Sequence, residues 1–286
     1  MTCQENLLQR LSGNNLIKKI REINMNSFLT NSPFHGRPYS GVRKNMAKLF
    51  QSRKNWRGKK IIDLCCGDGT STYILRKMGA KVLPYDLTSE RCELKEKPKY
   101  INVQKKFPIK DNSVDIVIFQ EVIEHLPNQL FTLEEIYRIL KPRGEVIITT
   151  PSKSSIGAKL SYLFFESEHH RFTPWGSVDA VWGSKNKKEK YYGHLWLIGI
   201  QQLNALGKIA GFKKIKIHKT EISSTSIQLF IIFYPLILFF SLKALFKDLK
   251  KMPKNSKYYN EKIEQFKLNI SLNTLLSKYT FVSLYK

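Results

Sequence analysis

Cysteine is scarce in this 286-residue chain, and what there is excludes two kinds of chemistry. Cys3, Cys65, Cys66 and Cys92 are the only four, with no Cys-x-x-Cys pair and no zinc-module spacing. Cys65 and Cys66 are adjacent, so on an extended chain their side chains point to opposite faces and do not share a metal. They are read as packing residues. A signal-peptide core is also missing from the opening "MTCQENLLQR", which sets the expectation of a reducing cytoplasm. Acidic residues are few, 23 against 48 Lys+Arg, for a formal charge of +25. Such an excess points to an anionic partner or surface, or simply to a solvated, lysine-rich exterior. The excess is scattered, its densest run being "KNKKEK" (Lys185 to Lys190), which disfavours a nucleic-acid footprint. No internal repeat is present. An apolar share of 42% over this length suits one domain of generous size, or one with an elaborated insertion.

What is there begins with "KKIIDLCCGDGTSTYIL", Lys59 to Leu75. Ile61, Ile62 and Leu64 form the short apolar run of a strand buried on both faces of a parallel sheet. Gly67 and Gly69 let the backbone turn tightly and approach a ligand. Thr70 and Ser71 can cap a helix that continues through Tyr73 to Met78. Strand, glycine turn and helix make the first unit of a nucleotide-binding fold. A dinucleotide fingerprint would want a third glycine at residue 72, which is Thr72, and this disfavours a dehydrogenase.

Strand and helix signals then alternate. "AKVLPYD" ends in Asp86, about 20 residues past the glycine turn, where an acidic side chain can accept from both ribose hydroxyls. "KYINV" (Lys99 to Val103) and "SVDIVIFQ" (Ser113 to Gln120) read as strands. Leu133, Ile136, Tyr137 and Leu140 share a helical face that Pro142 and Gly144 are expected to stop. "EVIITTP" is a strand, and "GIQQLNALGKIAGF" an amphipathic helix with Gly211 as its C-cap. "KKIKIHK" and the closing "YTFVSLYK" are strands. The alternation predicts an α/β fold with a doubly wound, mostly parallel sheet and helices on both faces. The ligand then lies at the carboxyl ends of the strands, among Asp63 to Gly69, Asp86, Asn102, Val103, Gln120 and Glu121.

"IIDLCCGDGT", "VLPYD", "FPIKDNSVDIVIFQEVIEHL" and "EIYRILKPRGEVIITTPS" resemble, in order, the successive motifs of class I S-adenosylmethionine-dependent methyltransferases of the type 11 and ubiquinone-methyltransferase-like subgroup. The likeness covers residues 58–152 and resumes weakly at 193–219 and in the final strand. It implies a seven-stranded Rossmann-like sheet with S-adenosyl-L-methionine as cofactor. By the same resemblance Asp63, Gly67 and Gly69 line the methionine end, and Asp86 with Leu87 holds the ribose. Asn102 and Val103 lie beside the adenine, and Gln120 and Glu121 face the sulfonium. Cys65 stands where the family usually has the first glycine of its loop, so its side chain points away from the cofactor or narrows the site.

In "EVIEH", Glu121, Glu124 and His125 resemble a cluster that binds a divalent metal in some relatives. Glu121 and His125, at i and i+4, would share a face of a helical start. The same letters occur in relatives without metal, and the preferred reading assigns none. Residues 151–194, rich in aromatics and histidines, sit where the family builds its acceptor pocket. A hydroxyl acceptor must lose a proton, and His169, His170 and His194 are the candidate general bases.

The segment Ile227 to Phe246 has the length of a bilayer span, but it contains Pro235 and Lys243. If the strands on either side belong to one sheet, a single crossing is impossible. The segment then either closes the acceptor pocket or lies in a membrane interface, where the following lysines suit an anionic leaflet. The domain layout expected is an N-terminal extension over 1–57, a methyltransferase domain over 58–222 and 275–286 with its insertion at 151–194, and an apolar, basic segment over 223–274. The function implied is methyl transfer to a small or lipid-linked acceptor at oxygen, a quinone precursor or saccharide, in the cytoplasm or peripherally on the cytoplasmic membrane face. The rivals are an RNA methyltransferase and a non-catalytic cofactor-binding module.

Overall fold

Apolar runs between residues 60 and 151 pair side by side in the protein, whose structure, a computed structural model, describes residues 28–167, 181–183, 190–222, 224–254 and 256–286. In chain order the elements are α1 (Gly41–Ser52), β1 (Lys60–Leu64), α2 (Thr70–Lys77), β2 (Lys81–Asp86), β3 (Lys99–Tyr100), β4 (Val114–Gln120), a 3-10 turn (Ile123–His125), α3 (Gln129–Ile139), β5 (Leu140–Pro151) and α4 (Ile156–Phe165). There follow β6 (Val181–Gly183), β7 (Lys190–Tyr192), α5 (Ile200–Ile209), β8 (Lys214–Ile217), α6 (Ser224–Leu249), α7 (Lys257–Ile270), α8 (Leu272–Leu276) and β9 (Tyr279–Tyr285).

Seven strands form one sheet in the order β3-β2-β1-β4-β5-β9-β8, while β6 and β7 pair separately. The first five run parallel, and β9 is antiparallel to both its neighbours. Side chains alternate across a strand, so each buried run feeds two cores. Ile62, Leu64, Val117, Phe119, Val146 and Ile148 face one side, against Leu133 and Ile136 of α3 and Leu203 of α5. Ile61, Ile116, Ile118 and Ile147 face the other, against Met46 and Phe50 of α1 and Ile74 and Leu75 of α2. Residues 28–57, read from the sequence as an extension, thus pack into the core through Leu29, Tyr39, Phe50 and Trp56. The Trp56 indole N–H donates to the Phe50 carbonyl at 2.8 Å, and burying two such side chains contributes roughly 2–3 kcal/mol each.

Two local expectations are corrected. The third strand stops at Tyr100, because Asn102 Oδ1 accepts the Gln104 N–H and turns the chain, sending Ile101 and Val103 into the core. The helix expected to end at Pro142 stops at Ile139, and residues from Leu140 join β5 with a register irregularity opposite Val114 to Ile116. The apolar segment is one helix, α6, that runs through Pro235. Its ring costs one backbone hydrogen bond on an exposed face, which a helix of 26 residues tolerates.

Candidate functional site

The carboxyl ends of β1 and β4 meet where the strand order reverses, and the glycine turn opens there. Gly67 has φ +57, and a Cβ built on it meets nothing within 4 Å, so its backbone borders open space. Gly69, at φ +84, would drive a Cβ to 2.5 Å from Leu94 Cγ. Glycine takes both conformations without strain, and at Gly69 a side chain would also collide with Leu94. Cys65, at φ +61, is a left-handed non-glycine residue. Its side chain packs against the core cluster of β1 and β4, and burial pushes its thiol well above the ordinary range. Cys66 is buried and its thiol is pushed up for the same reason, which keeps both as inert packing residues. The N-cap of α2 is Gly69 rather than Thr70 or Ser71, and Asp68 just before it accepts the Thr70 N–H on Oδ1 at 3.0 Å. Arg43 of α1 pairs with Asp68 at 2.6 Å and ties the N-terminal helix to the glycine turn.

Asp86, at the tip of β2, accepts the Gly67 N–H on Oδ2 at 2.9 Å and the Thr88 N–H on Oδ1 at 3.1 Å. Burial raises its carboxyl pKa, while the N–H groups of Gly67, Thr88 and Leu87 pull it down. The second lone pair on each oxygen remains an acceptor for hydroxyls beside the turn. Asn102 is half-buried with its side-chain oxygen used in the turn, and Val103 is buried in the core. Gln120 donates from Nε2 to Ser71 Oγ at 2.7 Å, joining the end of β4 to α2. Ser71 was missed in the sequence because it reads there only as a cap.

Asp63 is fully buried, and its Oδ2 accepts the Thr72 hydroxyl at 2.6 Å. Burial pushes its carboxyl from 3.8 up to about 6, with the Thr72 hydrogen bonds pulling the other way. A folded-state pKa raised above the unfolded value means stability that is full below about pH 3.8 and lost as pH rises through about 6. At neutral pH that is roughly 1–3 kcal/mol. Asp63→Asn keeps an acceptor for Thr72 and removes the charge. Its melting temperature, followed by calorimetry, is expected to exceed wild type by roughly 3–8 °C at pH 8 and to match it at pH 4. Equal melting at pH 8 would show that the charge is not costly there.

The densest chemistry follows β4. Glu121 has φ +52 and donates its N–H to the Thr149 carbonyl at 2.8 Å, so the chain does not start a helix there. The expected helical face shared by Glu121 and His125 is therefore absent, and a 3-10 turn takes its place. Glu124 is completely buried, with Oε2 accepting the Thr150 hydroxyl at 2.8 Å and Oε1 left without a hydrogen bond. Glu121 Oε1 is also buried without a hydrogen bond. Burial pushes both the Glu121 and the Glu124 carboxyls up, and the like charge of Glu121 raises Glu124 further.

His125 Nδ1 lies 2.5 Å from the Tyr192 carbonyl, which can only accept, so Nδ1 carries the proton in that contact. Burial lowers the His125 pKa and keeps the ring neutral. His194 packs edge-on against it, with ring centroids 4.8 Å apart. One ligand atom from each of Glu124, His125 and His194 lies within 4.8 Å of the others. Glu124 and His125 were legible as a pair, but that His194 joins them, and that Tyr192 fixes the tautomer, had no signal in the sequence. Tyr279 also stands near, its hydroxyl pKa raised by burial and by Glu121. His169 and His170 lie outside the described residues.

A cavity of about 520 Å³ opens elsewhere, at the amino ends of β1 and β2, lined by Lys60, Arg76, Lys81, Asp115 and Lys141. Arg76 is already bound to the Val82 carbonyl and Glu96, and Lys141 to Asp115. It belongs to the opposite end of the sheet from the chemistry.

This strand order, with one antiparallel strand, a glycine turn after β1 and an acid at the tip of β2, defines a Rossmann-like methyltransferase. A family model described as a methyltransferase domain matches residues 35–217. The chain belongs to this methyltransferase family, of the class that uses S-adenosylmethionine. It is similar to the mitochondrial ubiquinone biosynthesis O-methyltransferase of Mus musculus, 29% identical over 141 residues, covering 44% of this chain and 38% of the mouse protein. It is similar also to the demethylmenaquinone methyltransferase of Lactobacillus johnsonii, 28% identical over 207 residues, covering 66% of this chain and 81% of that one. The match thus spans only about two fifths of the length of the mouse and rat proteins. Among solved structures, a SAM-dependent methyltransferase from Archaeoglobus fulgidus aligns with a TM-score of 0.50 at 15% identity, over 84% of this chain and 92% of that one, a likeness of fold.

Proposed function

We propose that the protein methylates a hydroxyl oxygen of a small or lipid-linked acceptor, of the quinone-precursor or saccharide class, in the cytoplasm and peripherally at a membrane face. The observation that carries this reading is the imidazole of His125, oriented by Tyr192 and paired with His194 beside the buried carboxyl group of Glu124. The quinone-pathway names of two relatives support the acceptor class. The donor's site is the glycine turn. Gly67 leaves its backbone open, Asp86 receives the ribose hydroxyls, and Asp63 keeps a costly charge at the methionine end. Leu87, Asn102 and Val103 border the adenine side, with Gln120 and Glu121 toward the sulfonium. Bound there, S-adenosylmethionine supplies an electrophilic methyl carbon. The chain's own part is to hold the acceptor hydroxyl and take its proton at the His125 ring. Much of the remaining advantage is positioning.

A specific observation favours a second reading. Glu124 Oε1 lacks a hydrogen bond, and with His125 and His194 it offers a mixed oxygen and nitrogen set of the kind that zinc or magnesium sites draw on. A cation there would lower the acceptor hydroxyl's pKa in place of a base. Methyl incorporation from labelled donor into a short-chain prenylated catechol tests the function. Turnover retained after exhaustive chelation is the expected outcome and leaves the histidines as the base. Loss that magnesium or zinc restores assigns the cation instead. No incorporation into any hydroxylated acceptor, despite tight S-adenosylhomocysteine binding, would leave the non-catalytic module standing.

A further inference from the structure

Among the described residues α6 is the one helix long and apolar enough to cross a membrane, with a mean hydropathy of 2.3 over its window and no residue buried. Its inner face is held. Ser241 Oγ accepts from Asn269 of α7 at 2.8 Å, and Asp248 pairs with Lys262 at 3.4 Å. α7 is anchored in turn to α5 by Lys208, which reaches Glu261 and Glu264. Among the described residues nothing covers the outer side, and Ile227, Ile231, Ile232, Leu236, Phe239 and Phe240 are each about half exposed or more. Ile232, Leu236 and Phe239, at spacings of four and three, share one side of the helix, with Ile231 and Phe240 at its edges.

That side changes character along its length. Beyond Phe240 it carries exposed Lys243, Lys247 and Lys250, followed by Lys251 and Lys254 in the next turns. α4, which packs on α6, ends in exposed Tyr162, Leu163, Phe164 and Phe165. Two helices therefore present a single apolar platform with a basic end.

Crossing is excluded by connection. β8 and β9 pair in register, Lys214 with Tyr285 through Ile217 with Val282, so the chain leaves and re-enters one sheet. The return path, α7, has 14 residues, about 21 Å, and carries Lys257, Glu261, Lys262, Glu264 and Lys267. It is too short and too charged to span hydrocarbon. An apolar face ending in lysines, on a helix that cannot cross, matches the chemistry of an anionic lipid surface.

We propose that α6 and the end of α4 form a docking surface for an anionic leaflet, with α6 in the plane of the interface and its lysines on phospholipid headgroups. The contact gives the peripheral placement read above its residues, and its use rests on the lipid-linked acceptor of that reading. α4 starts from Ser155, four residues past the end of β5, and runs out to the platform at Phe165.

The test uses the full chain, sedimented with phosphatidylcholine vesicles or with vesicles of equal parts phosphatidylcholine and phosphatidylglycerol. Wild type is expected to partition onto the anionic vesicles, with salt removing part of the binding. Phe239→Ser with Phe240→Ser should lower partitioning about tenfold or more even at low salt. Lys243→Glu with Lys247→Glu should remove the preference for anionic lipid and leave the apolar part. Titration with S-adenosylhomocysteine should be the same for all three, which also reports that the variants fold. The proposal is overturned if wild type does not bind, or if the phenylalanine replacements bind as wild type does. It is overturned also if those replacements instead split a dimer, assigning the face to a second copy, or abolish turnover on a soluble catechol, assigning it to the pocket. Vesicle binding needs no acceptor, and turnover on a soluble catechol needs no vesicle, so the failure of either reading leaves the other measurable.

Discussion

His125→Ala is expected to lower turnover by roughly 10²–10⁴-fold while leaving S-adenosylhomocysteine affinity within about twofold, because it removes the group that takes the acceptor proton but not the glycine turn. The control is His125→Asn. An asparagine amide can still donate to the Tyr192 carbonyl that His125 Nδ1 engages, so it restores the local structure without restoring a base. If the loss came from a collapsed turn, Asn would rescue it; if it comes from the missing base, Asn stays as slow as Ala. The pH profile adds a separate reading. Burial lowers the His125 pKa below the ordinary 6.5, so the neutral ring persists, and turnover holds, to a pH lower than an exposed histidine would allow. Activity then falls on the acid side as the ring gains a proton. A variant that turns over at the wild-type rate would remove His125 from the reaction.

Asp86→Ala should weaken S-adenosylhomocysteine binding by roughly tenfold to a hundredfold in a calorimetric titration. Two losses combine. The ribose hydroxyls lose a charged acceptor, and the Gly67 and Thr88 N–H groups lose theirs, so the glycine turn is no longer tied to the tip of β2. Asn is a poor substitute. Both carboxylate oxygens accept backbone N–H groups, and an amide nitrogen facing either one would set donor against donor. Asp86→Asn should therefore weaken binding nearly as much as Ala. Unchanged affinity in both variants would take Asp86 out of the site.

The sequence was a good guide wherever function and fold are local along the chain. Ile61, Ile62 and Leu64 before Gly67 and Gly69 specify a buried strand and a turn that glycine makes without strain, because burial pattern and φ are properties of a few consecutive residues. Asp86 was legible for the same reason, as an acid closing an apolar run. The order of such units was enough to imply the parallel sheet, and the connection of β8 to β9 was enough to forbid a single crossing by α6. Short-range conformation was harder. A period that reads as helix after Glu121 lost to the left-handed φ of that residue and its hydrogen bond to Thr149, a tertiary choice made by the neighbouring strand.

The site's chemistry is the part that only the tertiary structure decided. Glu124 and His125 become special because a buried Thr150 takes one carboxylate oxygen, Tyr192 takes one imidazole nitrogen, and His194 arrives from 69 residues downstream to pack on the ring. None of these partners is near in sequence, and burial, which sets their protonation, is a property of the whole packing. Hydrophobic length made Ile227 to Phe246 look the same whether buried or bare. That α7 covers one side of α6 and nothing described covers the other follows from where β8 and β9 anchor its ends, because a helix's exposure is fixed by what packs against it and not by its own residues.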